Sequence, residues 1–196
     1  GFLMKRVAII TNYNITEKAY AAISVAERLI AHGCEVTAAI YNRERFLKMA
    51  QGRVEMLLLP IDEVYATADM IVVLGGDGTI LEAARRSAMR GTPILGINLG
   101  RLGFMAELES TELQELARIA TNDYVVDERM MLDVTVHRDR DIIFHDICLN
   151  DVVVTKGAVA RIVHLCVNIR CTLSLYISAW AISALLVQTD WAMRRP

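Results

Sequence analysis

Short apolar runs alternate with stretches of helical periodicity through the first half of the chain. The run Met70–Leu74 contains five apolar residues, mostly branched, which is typical of a strand buried on both faces. Similar runs cover residues 5–12, 35–41 and 93–98, and a further apolar segment covers residues 54–59 before a proline. Strands of this kind are covered by helices on both sides, so the pattern predicts a parallel sheet.

Helical periodicity fills the intervals between these runs. After the first strand, apolar residues recur on one helical face, with Thr16 as the predicted N-cap and Gly33 as the stop: Ala19, Ala22, Ile23, Ala26, Leu29 and Ile30. Residues 79–90 predict a second helix ending at Gly91, and residues 42–49 predict a short helix or loop. The sequence therefore predicts an α/β fold with an N-terminal Rossmann-like parallel sheet and covering helices.

The pattern changes after residue 120. Residues 111–120 predict a helix with a capping box formed by Thr111 and Gln114. Residues 131–137 then alternate between apolar and polar, a charged turn follows, and residues 142–148 predict the second strand of a β-hairpin. We expect an α/β domain over residues 1–124, the start of an incomplete all-β domain over residues 125–169, and an atypical apolar tail over residues 170–196.

Composition narrows the class of protein. Apolar residues make up 54% of the chain and the formal net charge is only −2, with the charges mixed along the sequence. This charge distribution predicts neither a nucleic-acid partner nor an anionic membrane surface. The four cysteines lack CxxC spacing, and we interpret them as reduced side chains of a cytoplasmic protein.

Candidate chemistry lies between the strand at Met70–Leu74 and the helix that follows it. The connecting residues are Gly75, Gly76, Asp77 and Gly78. Glycines allow a ligand to approach the backbone, and a turn that leads into a helix N-terminus favours phosphate binding. A carboxylate would repel phosphate unless it orients a metal ion or accepts a proton, so the combination indicates phosphoryl transfer. The alternative is a tight turn in which Asp77 only favours the helix dipole.

Several segments resemble the NAD kinase family. Residues 75–78 match the Gly-Gly-Asp-Gly signature that this family shares with diacylglycerol kinases and phosphofructokinases. Residues 96–104, Gly-Ile-Asn-Leu-Gly-Arg-Leu-Gly-Phe, are similar to a segment that only the NAD kinases of this superfamily carry. The Asn-Asp pair at 150–151 and the segment at 156–161 also match.

The resemblance implies a reaction and a set of site residues. NAD kinases transfer the γ-phosphate of ATP to the 2′-hydroxyl of the adenosine ribose of NAD, giving NADP. Asp77 would act as base or orienting group, and Gly75, Gly76, Gly78 and Thr79 would hold phosphates with Mg²⁺ or another divalent cation. The residues implied in NAD binding are Asn98, Gly100, Phe104, Asn150, Asp151 and Arg161. The resemblance also implies a homo-oligomer, with membrane association not expected.

The match with the family is expected to cover residues 5 to 169. Relatives continue with an Asp-Gly pair and a Ser/Thr/Gly-rich loop that ends in Ala-Tyr, whereas residues 171–189 of this chain carry no charge and lack these motifs. A membrane-spanning helix of about 20 apolar residues is one interpretation of this stretch. We favour a chain that has lost the C-terminal half of the family sequence, and we expect it to be weakly active or inactive.

Two other functions remain open from the sequence. A lipid or sugar kinase could share only the Gly-Gly-Asp-Gly motif, although residues 96–104 favour an NAD kinase over it. An inactive, truncated nucleotide-binding module would keep the ligand and lose the reaction. Assays with diacylglycerol and with NAD distinguish the first alternative, and turnover distinguishes the second.

Overall fold

The computed structural model of the 196-residue chain describes residues 4–99, 105–149, 151–152, 163–169, 173–179 and 187–188. The chain divides into two compact units, Gly1–Glu128 and Arg129–Pro196. The first unit combines helices with a parallel sheet, and the described strands of the second unit pair in antiparallel fashion.

A six-stranded parallel sheet forms the centre of the first unit. Its strands are β1 (Arg6–Thr11), β2 (Glu35–Ala39), β3 (Leu57–Leu59), β4 (Met70–Leu74), β5 (Ile94–Asn98) and β6 (Leu108–Glu109). They lie in the order β3-β2-β1-β4-β5-β6, and every described pair is parallel. The predicted parallel sheet is confirmed, and its order is that of dinucleotide-binding doubly wound folds.

Five α-helices accompany the sheet in the part of the chain that the structure describes. They are α1 (Thr16–Ala31), α2 (Arg43–Ala50), α3 (Ile61–Thr67), α4 (Asp77–Ser87) and α5 (Ala117–Thr121). Short 3-10 turns precede α2, follow α4 and precede α5, at Ile40–Asn42, Ala88–Arg90 and Leu113–Leu116.

Strand β4 is buried along its whole length because hydrophobic clusters cover both faces of the sheet. Met70, Val72 and Leu74 pack in the cluster that contains the buried side chains of α1. Ile71 and Val73 point to the opposite face, where the second cluster includes residues of α3 and α4. Successive side chains of a strand alternate between faces, so an apolar run without alternation fits a strand covered on both sides.

The first helices differ from prediction in the start of α1 and in the presence of α3. Helix α1 begins at Thr16, so Ile15 occupies the N-cap position and Thr16 is already helical. Gly33 lies just beyond the helix end with φ +83°, as a C-terminal glycine is expected to. Helix α3 was not predicted: Pro60 is its N-cap, and a helix this short leaves little periodicity to detect.

The predicted helix over residues 111–120 is wrong in its details. The chain forms a 3-10 turn and then the short helix α5, and the residue before the turn is Glu112, without a side-chain cap. The carboxylate of Glu112 instead accepts a hydrogen bond from the backbone N–H of Glu109, at 2.8 Å. The capping box of Thr111 and Gln114 is therefore not formed.

The second unit contains the predicted hairpin. Strand β7 (Leu132–Arg138) pairs antiparallel with β8 (Asp141–Cys148), and Asp139 adopts φ +57° in the turn. The remaining described strands are β9 (Asp151–Val152), β10 (Val163–Ile169), β11 (Leu173–Ala179) and β12 (Val187–Gln188).

Two of these strands come from the stretch over residues 170–196, for which the sequence predicts an atypical tail. Strand β11 pairs antiparallel with β10, and β12 pairs antiparallel with β9. The described parts of this stretch are therefore paired with the strands that precede them. Among the described residues, no helix combines the length and the apolar character that crossing a membrane requires.

Gly96 sets how closely β5 approaches its neighbours. A Cβ at this buried position would lie 2.7 Å from Cδ1 of Ile80 in α4 and 3.1 Å from the backbone Cα of Ala106. The methyl of an alanine would thus push against both α4 and the backbone after residue 104.

We expect Gly96→Ala to lower the free energy of unfolding by about 1–3 kcal/mol, as overpacking of a core does. Gly78→Ala is the matched control, because its Cβ would meet nothing within 4 Å among the described residues. Urea denaturation followed by circular dichroism measures both. Equal stabilities of the two variants would contradict the close packing around Gly96.

Candidate functional site

The candidate site lies where β1 and β4 end side by side. From β1 the chain leads to β2, and from β4 it leads to β5. These two strands lie on opposite sides of the β1–β4 pair in the sheet. Such a reversal of strand order opens a crevice outside the carboxyl ends of the two strands. Thr11 is paired with Leu74 in register, and its hydroxyl donates a hydrogen bond to the Leu74 carbonyl at 2.7 Å. This bond fixes the two strand ends against each other at the edge of the crevice.

Within the Gly-Gly-Asp-Gly segment only Gly75 and Gly76 form a turn, because helix α4 already begins at Asp77. The N–H of Gly75 donates to the carbonyl of Ile97 at 3.4 Å, which holds the turn against β5. The carbonyl of Gly76 accepts from Thr79 at 3.0 Å and from Ile80 at 3.3 Å. Helix α4 therefore begins at Asp77, two residues before the predicted start at Thr79, and Gly78 is helical.

The glycines of this turn do not serve an unusual backbone conformation, and packing among the described residues requires a glycine only at position 75. Glycines with positive φ in the described residues are Gly33, Gly52 and Gly91, and Gly76 has φ −89° with extended ψ. A Cβ on Gly75 would lie 2.9 Å from the Thr79 hydroxyl, so Gly75 allows the helix to approach the strand end. Gly76 and Gly78 are exposed, and a Cβ on either would meet nothing within 4 Å among the described residues. The helix N-terminus is thus open to a ligand.

Asp77 occupies the first turn of α4, with Arg85 and Arg86 in the last turn. This charge order is favourable for the helix dipole. The half-buried Asp77 carboxylate also accepts a hydrogen bond through Oδ1 from the backbone N–H of Met105, at 3.2 Å. Met105 directly follows residues 96–104, so this bond connects the Gly-Gly-Asp-Gly segment to the backbone just after a second segment that carries the family resemblance. No pattern in the sequence identifies this backbone partner.

Asn98 lies at the end of β5 and is 7% exposed. Its Nδ2 donates to both carboxylate oxygens of Glu109 in β6, each at 3.2 Å. Part of the hydrogen-bonding capacity of Asn98 therefore joins β5 to β6. Its implied contact with NAD stays a prediction.

The other residues implied in NAD binding are described less fully. Gly100, Phe104, Asn150 and Arg161 lie outside the described residues. Asp151 begins β9 and pairs with Gln188 in the second unit. The structure thus brings together Asp77, the three glycines and Thr79 at one helix N-terminus, with Asn98 at the end of the neighbouring strand.

A cleft that sequence reasoning missed opens beside this turn, within the first unit. Its volume is about 370 Å³, and it is lined by Ile10, Thr11, Asn12, Tyr13, Asn14, Tyr41, Asn42, Arg45 and Thr79. Most of these residues follow the carboxyl ends of β1 and β2, and Thr79 belongs to α4. The one sign of this cleft in the sequence was that these residues follow strand ends. Which loops meet depends on the order of the strands in the sheet.

The hydroxyl of Tyr13 is an unusual feature of this cleft. The side chain is 2% exposed, and its hydroxyl has no hydrogen-bond partner among the described residues. Burial, followed by the nearby Tyr41, raises the pKa of Tyr13 far above its usual range. The hydroxyl is therefore neutral across the physiological range, and it can bond to a ligand oxygen or a water.

The parallel sheet, its strand order and the glycine turn at a helix N-terminus define an α/β protein of the nucleotide-binding class. The family model described as the ATP-NAD kinase N-terminal domain matches residues 7–124. The chain therefore belongs to the NAD kinase family, which confirms the resemblance that the sequence motifs indicated.

Individual relatives agree with this assignment. The chain is 36% identical to the NAD kinase of Geobacter sp. (strain M21) over 189 residues, which is 95% of this chain and 62% of the relative. It is 48% identical to the NAD kinase of Acetivibrio thermocellus over 105 residues, or 53% of this chain and 36% of the relative. The chain thus spans about half the length of the curated relatives it matches.

A solved structure has the same fold. A crystal structure of yeast NADH kinase complexed with NADH superimposes with a TM-score of 0.69 at 18% identity, covering 82% of this chain and 51% of the yeast chain. At this identity the likeness concerns the fold, an α/β sheet followed by β-strands.

One alignment extends beyond the residues over which the resemblance was expected. It covers 95% of the chain, with the Geobacter enzyme, and so includes residues beyond 169. The Asp-Gly and Ala-Tyr motifs on which the expectation rested do not occur in residues 170–196.

The hydrogen bond from Met105 gives Asp77 a structural role that mutation can separate from a chemical one. We expect Asp77→Ala to lower the free energy of unfolding by about 1–3 kcal/mol, because the half-buried Met105 N–H loses its acceptor. Asp77→Asn keeps an acceptor oxygen, so it should lose only the helix-dipole contribution of about 0.3–1 kcal/mol. Urea titrations compare the two, and equal losses would contradict the role of the Met105 contact.

Proposed function

We propose that this protein takes part in phosphorylating the 2′-hydroxyl of the adenosine ribose of NAD with ATP as donor, giving NADP. The observation that carries the proposal is a carboxylate in the first turn of α4, at an open helix N-terminus and in hydrogen-bond contact with the segment after β5. Membership of the NAD kinase family supports the same reaction.

The turn at residues 75–79 is suited to hold the transferred phosphate. The first amides of a helix have no intrahelical acceptor and lie at the positive end of its dipole, which favours an anion. The open space at Gly76 and Gly78 allows phosphate oxygens to approach these amides without meeting a side chain. Donors positioned in this way stabilise the charge that develops on the phosphoryl group.

Asp77 is the candidate for handling the proton of the acceptor hydroxyl. The Met105 N–H orients its carboxylate, so the side chain is held in place before the substrates bind. A ribose hydroxyl is a weak acid, and proton transfer to a positioned carboxylate helps only when the two lie within hydrogen-bond distance. Positioning the hydroxyl in line with the phosphate is the larger contribution that the site would make.

A divalent cation fits this arrangement. Among the described residues, no three His, Cys, Asp or Glu side chains cluster as a protein-only metal site would require. Mg²⁺ is usually bound by one or two carboxylates together with substrate phosphates, and Asp77 beside a phosphate-binding turn offers that combination. When bound, Mg²⁺ would neutralise negative charge on the phosphates. Asp77 would then hold the cation near the helix N-terminus.

The acceptor NAD is proposed to bind on the side of residues 98–105. The residues involved would be those implied by the family: Asn98, Gly100, Phe104, Asn150, Asp151 and Arg161. The solved structure with the same fold is a yeast NADH kinase complexed with NADH, and this supports a dinucleotide acceptor. A cytoplasmic location, a homo-oligomeric state and the domain limits at residues 124 and 169 belong to the same proposal.

A nucleotide-binding module without turnover is the second candidate. It is favoured because the first unit by itself builds both the glycine turn and the adjacent cleft. Incubation of the chain with NAD, ATP and Mg²⁺ separates the two candidates, since only the kinase forms NADP. A lipid or sugar kinase is opposed by the family match, and diacylglycerol phosphorylation would be its test.

We expect Asp77→Asn to lower the rate of NADP formation by about 10²-fold or more, the usual contribution of a general base. The substitution removes the charge while retaining an acceptor for Met105, so folding and NAD binding should persist. Steady-state assays measure the rate, and thermal unfolding provides the control. Turnover within a factor of about two of the parent would remove Asp77 from the chemistry.

Asn150 tests the acceptor side. We expect Asn150→Ala to weaken NAD binding by about 1–3 kcal/mol, because ligand hydroxyls would be left unpaired. Calorimetric titration with NAD measures this loss. Binding of a non-hydrolysable ATP analogue to the same variant is the internal control and should not change. Unaltered NAD affinity would return Asn150 to the role of a turn residue.

A further inference from the structure

Asn98 and Glu109 lie side by side because β5 and β6 pair in register. Ile97 is opposite Leu108, and Asn98 is opposite Glu109, in this parallel pair. Residues that lie opposite each other on neighbouring strands project from the same face of the sheet. The Asn98 amide therefore meets the Glu109 carboxylate directly, and its Nδ2 donates to both carboxylate oxygens at 3.2 Å.

This pair lies at the edge of the sheet that carries the glycine turn. Ile97, the residue before Asn98, accepts a hydrogen bond from the Gly75 N–H at 3.4 Å. In a doubly wound sheet, the carboxyl ends of the strands are the ends that face the ligand. Asn98 is the last residue of β5 and is buried, so its amide is a buried polar group beside the candidate site. The orientation of such a group is set by its hydrogen-bond partners.

The exposed residue Glu109 presents its carboxylate from a backbone that is held at two points. Its N–H donates to Oε2 of Glu112 at 2.8 Å, and its carbonyl accepts from the Glu112 N–H at 2.9 Å. Glu109 is therefore fixed in the chain independently of its contact with Asn98.

A carboxylate determines which end of an amide faces it. An ionised carboxylate only accepts hydrogen bonds, whereas an asparagine amide has a donating NH2 group and an accepting carbonyl oxygen. Glu109 therefore requires Nδ2 of Asn98 to face β6, and this directs Oδ1 elsewhere. A carbonyl oxygen has two lone pairs, so Oδ1 can accept from a ligand in addition to any protein donor.

We propose that Glu109 is a positioning residue of the NAD site, and that it fixes the Asn98 amide so that Oδ1 accepts a hydrogen bond from a hydroxyl or amino group of the dinucleotide. The inference rests on the proposed kinase function, in which Asn98 binds NAD, and adds the residue that sets the polarity of this contact. A ligand with an acceptor at the same place is disfavoured, because two acceptors that face each other both stay unpaired.

Reversal of the amide tests its orientation. Glu109→Lys replaces an acceptor by a group that only donates, so Oδ1 of Asn98 would turn towards residue 109 and Nδ2 would face the ligand. We expect calorimetric titration of the 196-residue chain with NAD to show an affinity weaker by about 10-fold or more. The added positive charge by itself favours the anionic dinucleotide, so net charge does not account for such a loss.

Glu115→Lys is the matched control for this charge reversal. The carboxylate of Glu115 contacts Arg118, and the substitution leaves the partner of Asn98 in place. It should not weaken NAD binding by more than about twofold. Thermal unfolding of both variants separates positioning from folding, because a purely structural bond would lower the unfolding temperature and leave the affinity of the folded protein unchanged.

An exchange of donor and acceptor provides a rescue. Asn98→Asp alone places two carboxylates against each other, and it should weaken NAD binding by about 10-fold or more. Adding Glu109→Gln restores the net charge of the parent and lets the glutamine NH2 donate to the aspartate, which keeps an accepting oxygen for the ligand. The double variant should bind NAD within about threefold of the parent. A ligand contact made by Nδ2 would not be rescued.

The outcomes separate the inference from the proposed function. The expected affinities in a chain that forms no NADP would support the positioning role and reject the kinase activity. NADP formation with a KM for NAD that Glu109→Lys leaves unchanged would support the activity and overturn the positioning role. Three further results would also overturn it: absence of NAD binding to the parent chain, equal losses in Glu109→Lys and Glu115→Lys, or a double variant as weak as Asn98→Asp alone.

Discussion

The hydrogen bond between the Asp77 carboxylate and the Met105 N–H is the contact on which the arrangement of the site depends. It joins the N-terminus of α4 to the backbone just after the segment that follows β5. The close approach that permits it is set by Gly96, whose missing side chain lets Ile80 and Ala106 lie against β5. The position of Asp77, the catalytic candidate, thus depends on the same close packing of α4 and Ala106 against β5.

The reversal of strand order at β1 and β4 explains why different loops lie on the two sides of the glycine turn. Asp77 and Thr79 lie in the first turn of α4, directly after the glycine turn, and their side chains point to opposite sides of the helix. On one side lies Met105, the backbone partner of Asp77. On the other side lies the cleft, whose lining includes Asn14 after β1, Tyr41 after β2 and Arg45 in α2.

The buried strand β4 was predictable because five apolar residues without alternation require cover on both faces. The glycine turn was equally evident, since its composition is unusual beside such a strand. The start of α4 at Asp77 was not, because the carbonyl of Gly76 begins the helical bonding earlier than propensity suggests. The cleft lined by Tyr41 and Arg45 forms because the strand order brings particular loops together. Local sequence patterns do not predict that order.

A crystal structure of the chain with AMP-PNP, NAD and Mg²⁺ is the most direct test of the roles proposed for Asp77 and the N-terminus of α4. We expect the terminal phosphate of the nucleotide at the first amides of α4. We expect the adenosine ribose of NAD on the Met105 side, with its 2′-hydroxyl within hydrogen-bond distance of Asp77. A terminal phosphate distant from these amides, or a ribose distant from Asp77, would contradict this arrangement.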